Sequence, residues 1–193
     1  MEFRADLHLH SRYSFDSKSK PGDILRQALK KNLNVIAVTD HDTVDGGLAV
    51  RECAGADCSV QVVVGMEVST RQGDIVGLFL EENILSVNPM QVLEEIHNQG
   101  GVSVLVHPCR HADFAEEVIN SADAIEIYNA KSSSRENLMA QTLAIRAGKK
   151  GITSSDAHLV QDIGSVYTSF EPEDGSITIF NEDFLSWDIV PHV

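Results

Sequence analysis

Long apolar runs, cysteines and positive charge are all scarce in this chain. No apolar stretch is long enough to cross a bilayer, and Glu2-Phe3-Arg4 follows Met1 with no apolar leader core. Neither a membrane span nor a secretion signal is therefore expected. The three cysteines, Cys53, Cys58 and Cys109, are odd in number and lack framework spacing. That sets aside a disulfide-stapled fold and points to a reducing, cytoplasmic setting. Lys and Arg total 15 against 29 Asp and Glu, a formal net charge of -14. A body so acidic repels phosphate backbones, so long nucleic acid is not the expected partner. The excess has a second reading: carboxylates gathered around divalent cations are no longer surplus once the ions are counted. Linkers, low-complexity runs and internal repeats are also missing. The 193 residues, 42% of them apolar, are read as one domain over 1–193 with a full-sized core.

What is present is a rhythm. The stretch from Phe3 to His8 reads as a strand. Residues two apart on a strand share a face, so His8 and His10 project together, with Asp6 behind them and Leu7 and Leu9 opposite. Pro21 opens a helix with Ile24, Leu25, Ala28 and Leu29 as its apolar stripe. The continuous apolar run Val35-Ile36-Ala37-Val38 suits a parallel strand covered on both faces, and it ends in Thr39-Asp40-His41-Asp42. A helix over 44–54, a strand from Val60 ending in Gly65-Met66-Glu67, and a strand over 74–80 follow. Helices are expected over 89–98, 112–120 and 133–147, and strands over 102–106, 124–129 and 151–154. In the tail, Thr178-Ile179-Phe180 reads as a further strand, and Phe184, Leu185 and Trp187 as residues lying against the body.

Strand, loop, helix repeated about seven times indicates a parallel sheet. An open sheet gathers ligands only at its switch point, whereas a barrel brings every strand end to one mouth. Here polar, metal-competent residues stand at nearly every strand end: His8 and His10, His41, Glu67, His107, Asn129, Asp156 and His158. The barrel is the better reading.

The ordered set His8-Leu9-His10, Thr39-Asp40-His41-Asp42, Gly65-Met66-Glu67, His107-Pro108 and Ser155-Asp156-Ala157-His158 resembles the polymerase and histidinol phosphatase family, from Ala5 to about Tyr167. The resemblance implies an α/β distorted (β/α)7 barrel, two or three divalent ions at its mouth, and phosphoester hydrolysis by a hydroxide shared between cations. It implies a first ion on His8, His10, Glu67 and Asp156. Glu67 would bridge to a second ion, also held by His107, and Asp16, His41 and His158 would hold a third. Imidazole with carboxylate suits manganese, iron or zinc rather than calcium. Two positions depart from the family pattern, since many relatives carry His where Asp16 and Asp74 stand. Either each Asp is a harder ligand, Asp74 serving the second ion, or a site is weak and Asp74 only caps the turn after Gly73.

Glu67, Asp156 and His158 are the expected catalytic groups, Asp156 or a histidine protonating the leaving oxygen. Arg12, Arg110, Arg135 and Asn129 are candidates for holding phosphate, a fork of guanidinium donors being suited to a bidentate grip. The expected substrate is a small phosphomonoester or nucleotide, because no sizeable lid is inserted between strands. Trimming of nucleic-acid ends and a non-catalytic, metal-stabilised anion-binding module are the alternatives. His97, His111 and His192 read as surface residues. Asp40 or Asp42 can orient an imidazole, or Asp42 can cap the next helix.

Overall fold

The computed structural model describes residues 3–170 and 190–192. The expected features at 178–187 lie outside them. Strands β1 (Phe3–Leu9), β2 (Val35–Val38), β3 (Gln61–Ser69), β4 (Asp74–Leu78), β5 (Val102–Leu105), β6 (Ala124–Asn129), β7 (Lys150–Ser154), β8 (Tyr167–Phe170) and β9 (Val190–His192) form one sheet. Its order is β7-β6-β5-β4-β3-β2-β1-β8-β9. Helices α1 (Pro21–Lys30), α2 (Asp45–Ala54), α3 (Pro89–Asn98), α4 (Glu116–Ser121) and α5 (Ser134–Ala147) cover its outer face. Among the described residues none of these helices is long and apolar enough to cross a membrane.

The sheet curls until its first and seventh strands meet. The His10 N–H donates to the Ala157 carbonyl at 2.9 Å, and Leu9 bridges Ala157 in parallel. Beside that contact the seam is closed by side chains, with the Thr153 N–H donating to Thr168 Oγ1 at 2.8 Å and Thr153 Oγ1 to the Tyr167 carbonyl at 2.7 Å. The result is the expected distorted barrel. Its inner core is Phe3, Ala5, Leu7, Val35, Ala37, Val63, Val76, Val104 and Ile152 with their neighbours, drawn from the strands and the residues just past them. Two further clusters fill the space between strands and helices.

The all-parallel expectation needs correction at two strands. β4 runs antiparallel to both β3 and β5, and β8 antiparallel to β1. A parallel crossover needs a dozen or more residues, and the link from Ser69 to Asp74 is a tight hairpin closed by Thr70 and Gly73. The reversal puts the start of β4, not its end, at the mouth, so Asp74 reaches the same rim as the strand ends. The expected helix over 112–120 begins late, at Glu116. The residues before it are held by the hairpin, the Asp113 and Ala115 N–H groups donating to the Gln72 carbonyl and side chain at 2.7 and 2.8 Å.

Two bulges aim the polar residues. The β1–β2 register shifts between Asp6 and Leu9. Leu7 therefore joins the inner core while Leu9 packs outside with Ile24 and Ile36. The simple alternation expected for β1 thus holds for His8 and His10 but not for the leucines. Asp6 turns aside to accept from the Ser155 N–H and Oγ and the Gly164 N–H. A second shift, between Glu126 and Tyr128 in β6, lets Glu126 and Asn129 meet although they are three residues apart.

Close packing reaches up to the mouth. A Cβ on Gly65 would stand 2.6 Å from the Gly77 carbonyl oxygen and 2.9 Å from Thr39 Cγ2. Gly65→Ala is expected to push β3 from β4, two residues before Glu67, and to destabilise the chain by about 1–3 kcal/mol. The check is a lower urea midpoint with an unchanged slope.

Candidate metal centre

The side chains at the mouth converge on Glu67, which is buried in β3. Its Oε2 lies 3.2 Å from His8 Nε2, 3.2 Å from His10 Nε2 and 3.4 Å from His41 Nδ1. Its Oε1 lies 3.0 Å from His107 Nε2. Asp156 Oδ1 stands 3.7 Å from His8 Nε2 and 3.5 Å from both His10 Nε2 and His158 Nδ1. Asp16 Oδ2 reaches 3.0 Å from His158 Nε2 and 3.3 Å from His41 Nε2. Asp74 Oδ2 is 4.0 Å from His107 Nδ1. All nine expected donor residues therefore meet in one place.

They fall into four overlapping groups whose donor atoms lie within 4.8 Å of one another: His8, His10 and Glu67; Glu67, Asp74 and His107; His8, His107 and Asp156; and His10, Asp16, His41 and His158. No apolar side chain separates the facing nitrogens and oxygens, and the set mixes imidazole with carboxylate. Such a donor set fits divalent transition ions.

Without cations the cluster is balanced by protons. Burial opposes charge on His8, but Glu67, Asp156 and Glu126 outweigh it and hold the imidazole well above its usual range. His10, against the same burial, is raised to about 8 by Asp156 and Glu67. Burial pushes the Glu67 and Asp156 carboxyls up, yet the facing histidines hold both well below the ordinary carboxylate range. The carboxylate form of Asp156 is the form a cation ligand needs.

Further acids fix these groups, and of them Glu126 was not singled out by the sequence. Buried Glu126 lies 3.2 Å from His8 Nδ1 through Oε1 and accepts the His107 N–H on Oε2 at 2.6 Å. It also accepts from Ser154 Oγ and from Asn129 Nδ2. The signal was legible: one charged residue in the otherwise apolar strand start Ala124-Ile125-Glu126-Ile127 demands a partner once buried. Asp40 accepts from the Ser11 N–H and Oγ and the Ser14 N–H, fixing the loop after β1, while Ser14 Oγ accepts the His41 N–H. Asp40 thus positions a loop rather than an imidazole. Asp42 is not a cap, since Val44 occupies that position in α2. His107 and Asp156 adopt φ of 31° and 51°, the left-handed region that costs non-glycine residues about 1–2 kcal/mol each.

The anion-binding candidates divide. The Arg110 guanidinium lies in the mouth, donating to Asp156 Oδ2 at 3.3 Å and to Asn129 Oδ1 at 2.7 Å. Asn129 is buried and also donates to Asp156 at 3.1 Å, so it positions other groups. Arg12 instead sits over the Tyr13 ring, 5.7 Å from its centroid. Arg135 stands on the exposed first turn of α5, outside the lining of the mouth. The mouth is a cavity of about 410 Å³ whose lining includes Arg71 and His111. Arg71 was missed because the hairpin that carries it was missed. His97 is half-exposed and paired with Asp123 at 2.9 Å, away from the site.

Glu126→Gln keeps the shape of the side chain but removes one acceptor. It is expected to weaken manganese binding by about 10–100-fold, measured by competition with a chromogenic chelator. Unchanged affinity would remove Glu126 from this orienting role.

The chain matches the PHP domain model over residues 6–154 and a PHP-associated model over residues 134–186. It is 35% identical over 143 residues to an uncharacterised protein of Methanocaldococcus jannaschii, covering 66% of this chain and 82% of that one. It is 41% identical over 66 residues to an error-prone DNA polymerase of Cutibacterium acnes, covering 34% of this chain but 6% of the polymerase. The fold is similar, at a TM-score of 0.80 and 18% identity, to a two-domain protein of Bacteroides vulgatus described as containing a predicted PHP-like metal-dependent phosphoesterase. That similarity covers all of this chain and 65% of the other. With the model matching most of its length and its histidines and acids gathered at one barrel mouth, the chain belongs to the PHP domain family.

Proposed function

We propose that the chain is a metal-dependent hydrolase of small phosphomonoesters or nucleotides. The observation that carries this reading is the double facing of Glu67, one oxygen toward His8, His10 and His41 and the other toward His107. A carboxylate shared in this way suits two neighbouring cations. In this reading His8, His10, Glu67 and Asp156 hold one manganese, iron or zinc ion. Glu67, His107 and Asp74 hold a second, and Asp16, His41 and His158 a third. Divalent cations held there would supply Lewis acidity, activating water near neutral pH and offsetting negative charge on the phosphoryl group.

The chain's own residues do the rest. Arg110, whose Nε and terminal nitrogens donate to Ser132, Asp156 and Asn129, brings a fixed positive charge to the mouth and leaves at most one N–H for a phosphoryl oxygen. Arg71 adds a second positive charge to the lining. Asp156 is engaged by Arg110 and Asn129 on one oxygen and by His10 on the other, so we assign protonation of the leaving oxygen to an imidazole. His111 lines the mouth, is exposed and belongs to none of the four donor groups, so cations do not compete for it as they do for His158.

A second reading, hydrolysis at nucleic-acid ends, draws support from the similarity to the polymerase segment. The net charge of -14 weighs against long strands. Hydrolysis of an aryl phosphate, a nucleoside monophosphate and a 5′-phosphorylated oligonucleotide, each with manganese, separates the readings. Activity on the oligonucleotide alone would select the second. No activity on any of them, with retained metal, would leave an anion-binding module.

Chelation is expected to abolish activity and manganese to restore it. Outer partners of metal ligands cost up to about 100-fold when removed, so Glu67→Ala should cost at least that in kcat/KM. The protonation pattern gives a further outcome. In the cation-free chain His10 holds its proton up to about 8. Its stabilising ion pairs are complete below the unfolded value and are lost as pH rises through about 8. A cation must displace that proton, so manganese affinity should rise between pH 6 and 8 by about one decade per unit for each proton released. Calorimetry in buffers of different ionisation enthalpy counts the protons, and a flat profile would refute the exchange.

A further inference from the structure

The loop between β1 and α1 presents an aromatic ring that neither the core nor the donor cluster uses. Phe15 is 88% exposed. Its ring is nevertheless placed, lying at 23° to the His41 imidazole with centroids 5.0 Å apart. The backbone is pinned on both sides of it. The Ser14 N–H donates to Asp40 Oδ1 at 3.2 Å, and Ser17 Oγ lies 2.9 Å from the His158 carbonyl oxygen and donates to it. The next residue, Asp16, is itself held between His41 and His158. One face of the Phe15 ring is thus set against an imidazole of the mouth and the other faces solvent.

A ring seated against an imidazole on one side and open on the other can take a second flat group on its open face. We infer that Phe15 is a stacking platform for a nucleobase, which makes the phosphoester taken at this mouth a nucleotide. The inference rests on the phosphoesterase reading above and deepens it. His41 both lines the cavity and backs the Phe15 ring, which places the ring beside the mouth.

The test compares adenosine 5′-monophosphate with ribose 5-phosphate, which share the phosphate and sugar and differ by the base. The kcat/KM ratio of the two should fall about tenfold or more in Phe15→Leu and persist in Phe15→Trp. A readout independent of turnover comes from the zinc-loaded Phe15→Trp protein. Its added indole fluorescence should be quenched by adenosine 5′-monophosphate and not by ribose 5-phosphate. An unchanged ratio in Phe15→Leu, with equal or no quenching by the two ligands, overturns the platform while leaving the hydrolase intact. Selective quenching without hydrolysis of any phosphoester keeps the platform and overturns the hydrolase. Running a 5′-phosphorylated trinucleotide alongside separates a free nucleotide from a strand end as the source of the base, and selective quenching by either supports the platform.

Discussion

Burying several ionised groups together is the constraint on which the rest of the molecule depends. Glu67, Asp156 and Glu126 lose almost all contact with water, as do His8 and His10. An isolated carboxylate taken into such a setting would cost several kcal/mol or simply take up a proton. Here each one is held below its ordinary range because imidazoles meet it within hydrogen-bond distance. The arrangement is tolerable only while every member is present and aimed. That requirement explains the distortions of the barrel better than any preference of the strands does.

The aiming is done by backbone irregularities and by acids that grip the loops carrying the donors. The bulge in β1 separates the fates of Leu7 and Leu9 so that His8 and His10 can both turn to the mouth. Reversal of β4 delivers Asp74 to the rim from the start of a strand. Asp6 grips the loop that carries Asp156 and His158, and its own carboxyl is pushed up to about 6 by burial. Asp40 grips the loop that carries Asp16. Five of the 29 acidic residues, Asp6, Asp40, Glu67, Glu126 and Asp156, are thus interior among the described residues, and their charge does not face a ligand at the surface.

The sequence was informative wherever one residue type had one physical use. Pro21 opens α1, its fixed φ suiting a first helical turn, and the apolar stripe of Ile24, Leu25 and Ala28 is buried as expected. Histidines and acids at strand ends had no better use than a shared site, and they meet there; Asp16 from the first loop and Asp74 from a strand start, suggested only by the family resemblance, join them. It was less informative where the answer depended on the path of the chain. Nothing in Arg12 or Arg135 distinguishes them from Arg71 and Arg110. Only the hairpin and the turn after β5 put the latter pair in the mouth. The late start of α4 has the same origin, because Gln72 of the hairpin captures the N–H groups of Asp113 and Ala115. Local propensity had no view of that partner.

The same logic accounts for the two donors with left-handed backbones. His107 and Asp156 would relax toward ordinary φ if nothing opposed them. Glu126 opposes it at His107 by accepting that residue's N–H, and Asn129 and Arg110 oppose it at Asp156 by holding its Oδ2. Glu126 also lies against His8 and accepts from Asn129. One buried carboxylate therefore ties the His8 imidazole and the His107 backbone, and through Asn129 the acid after β7, into one unit. The strained conformations, the bulge in β6 and the orientation of His8 form a single coupled unit, and a change at any one of them is transmitted to the geometry at Glu67.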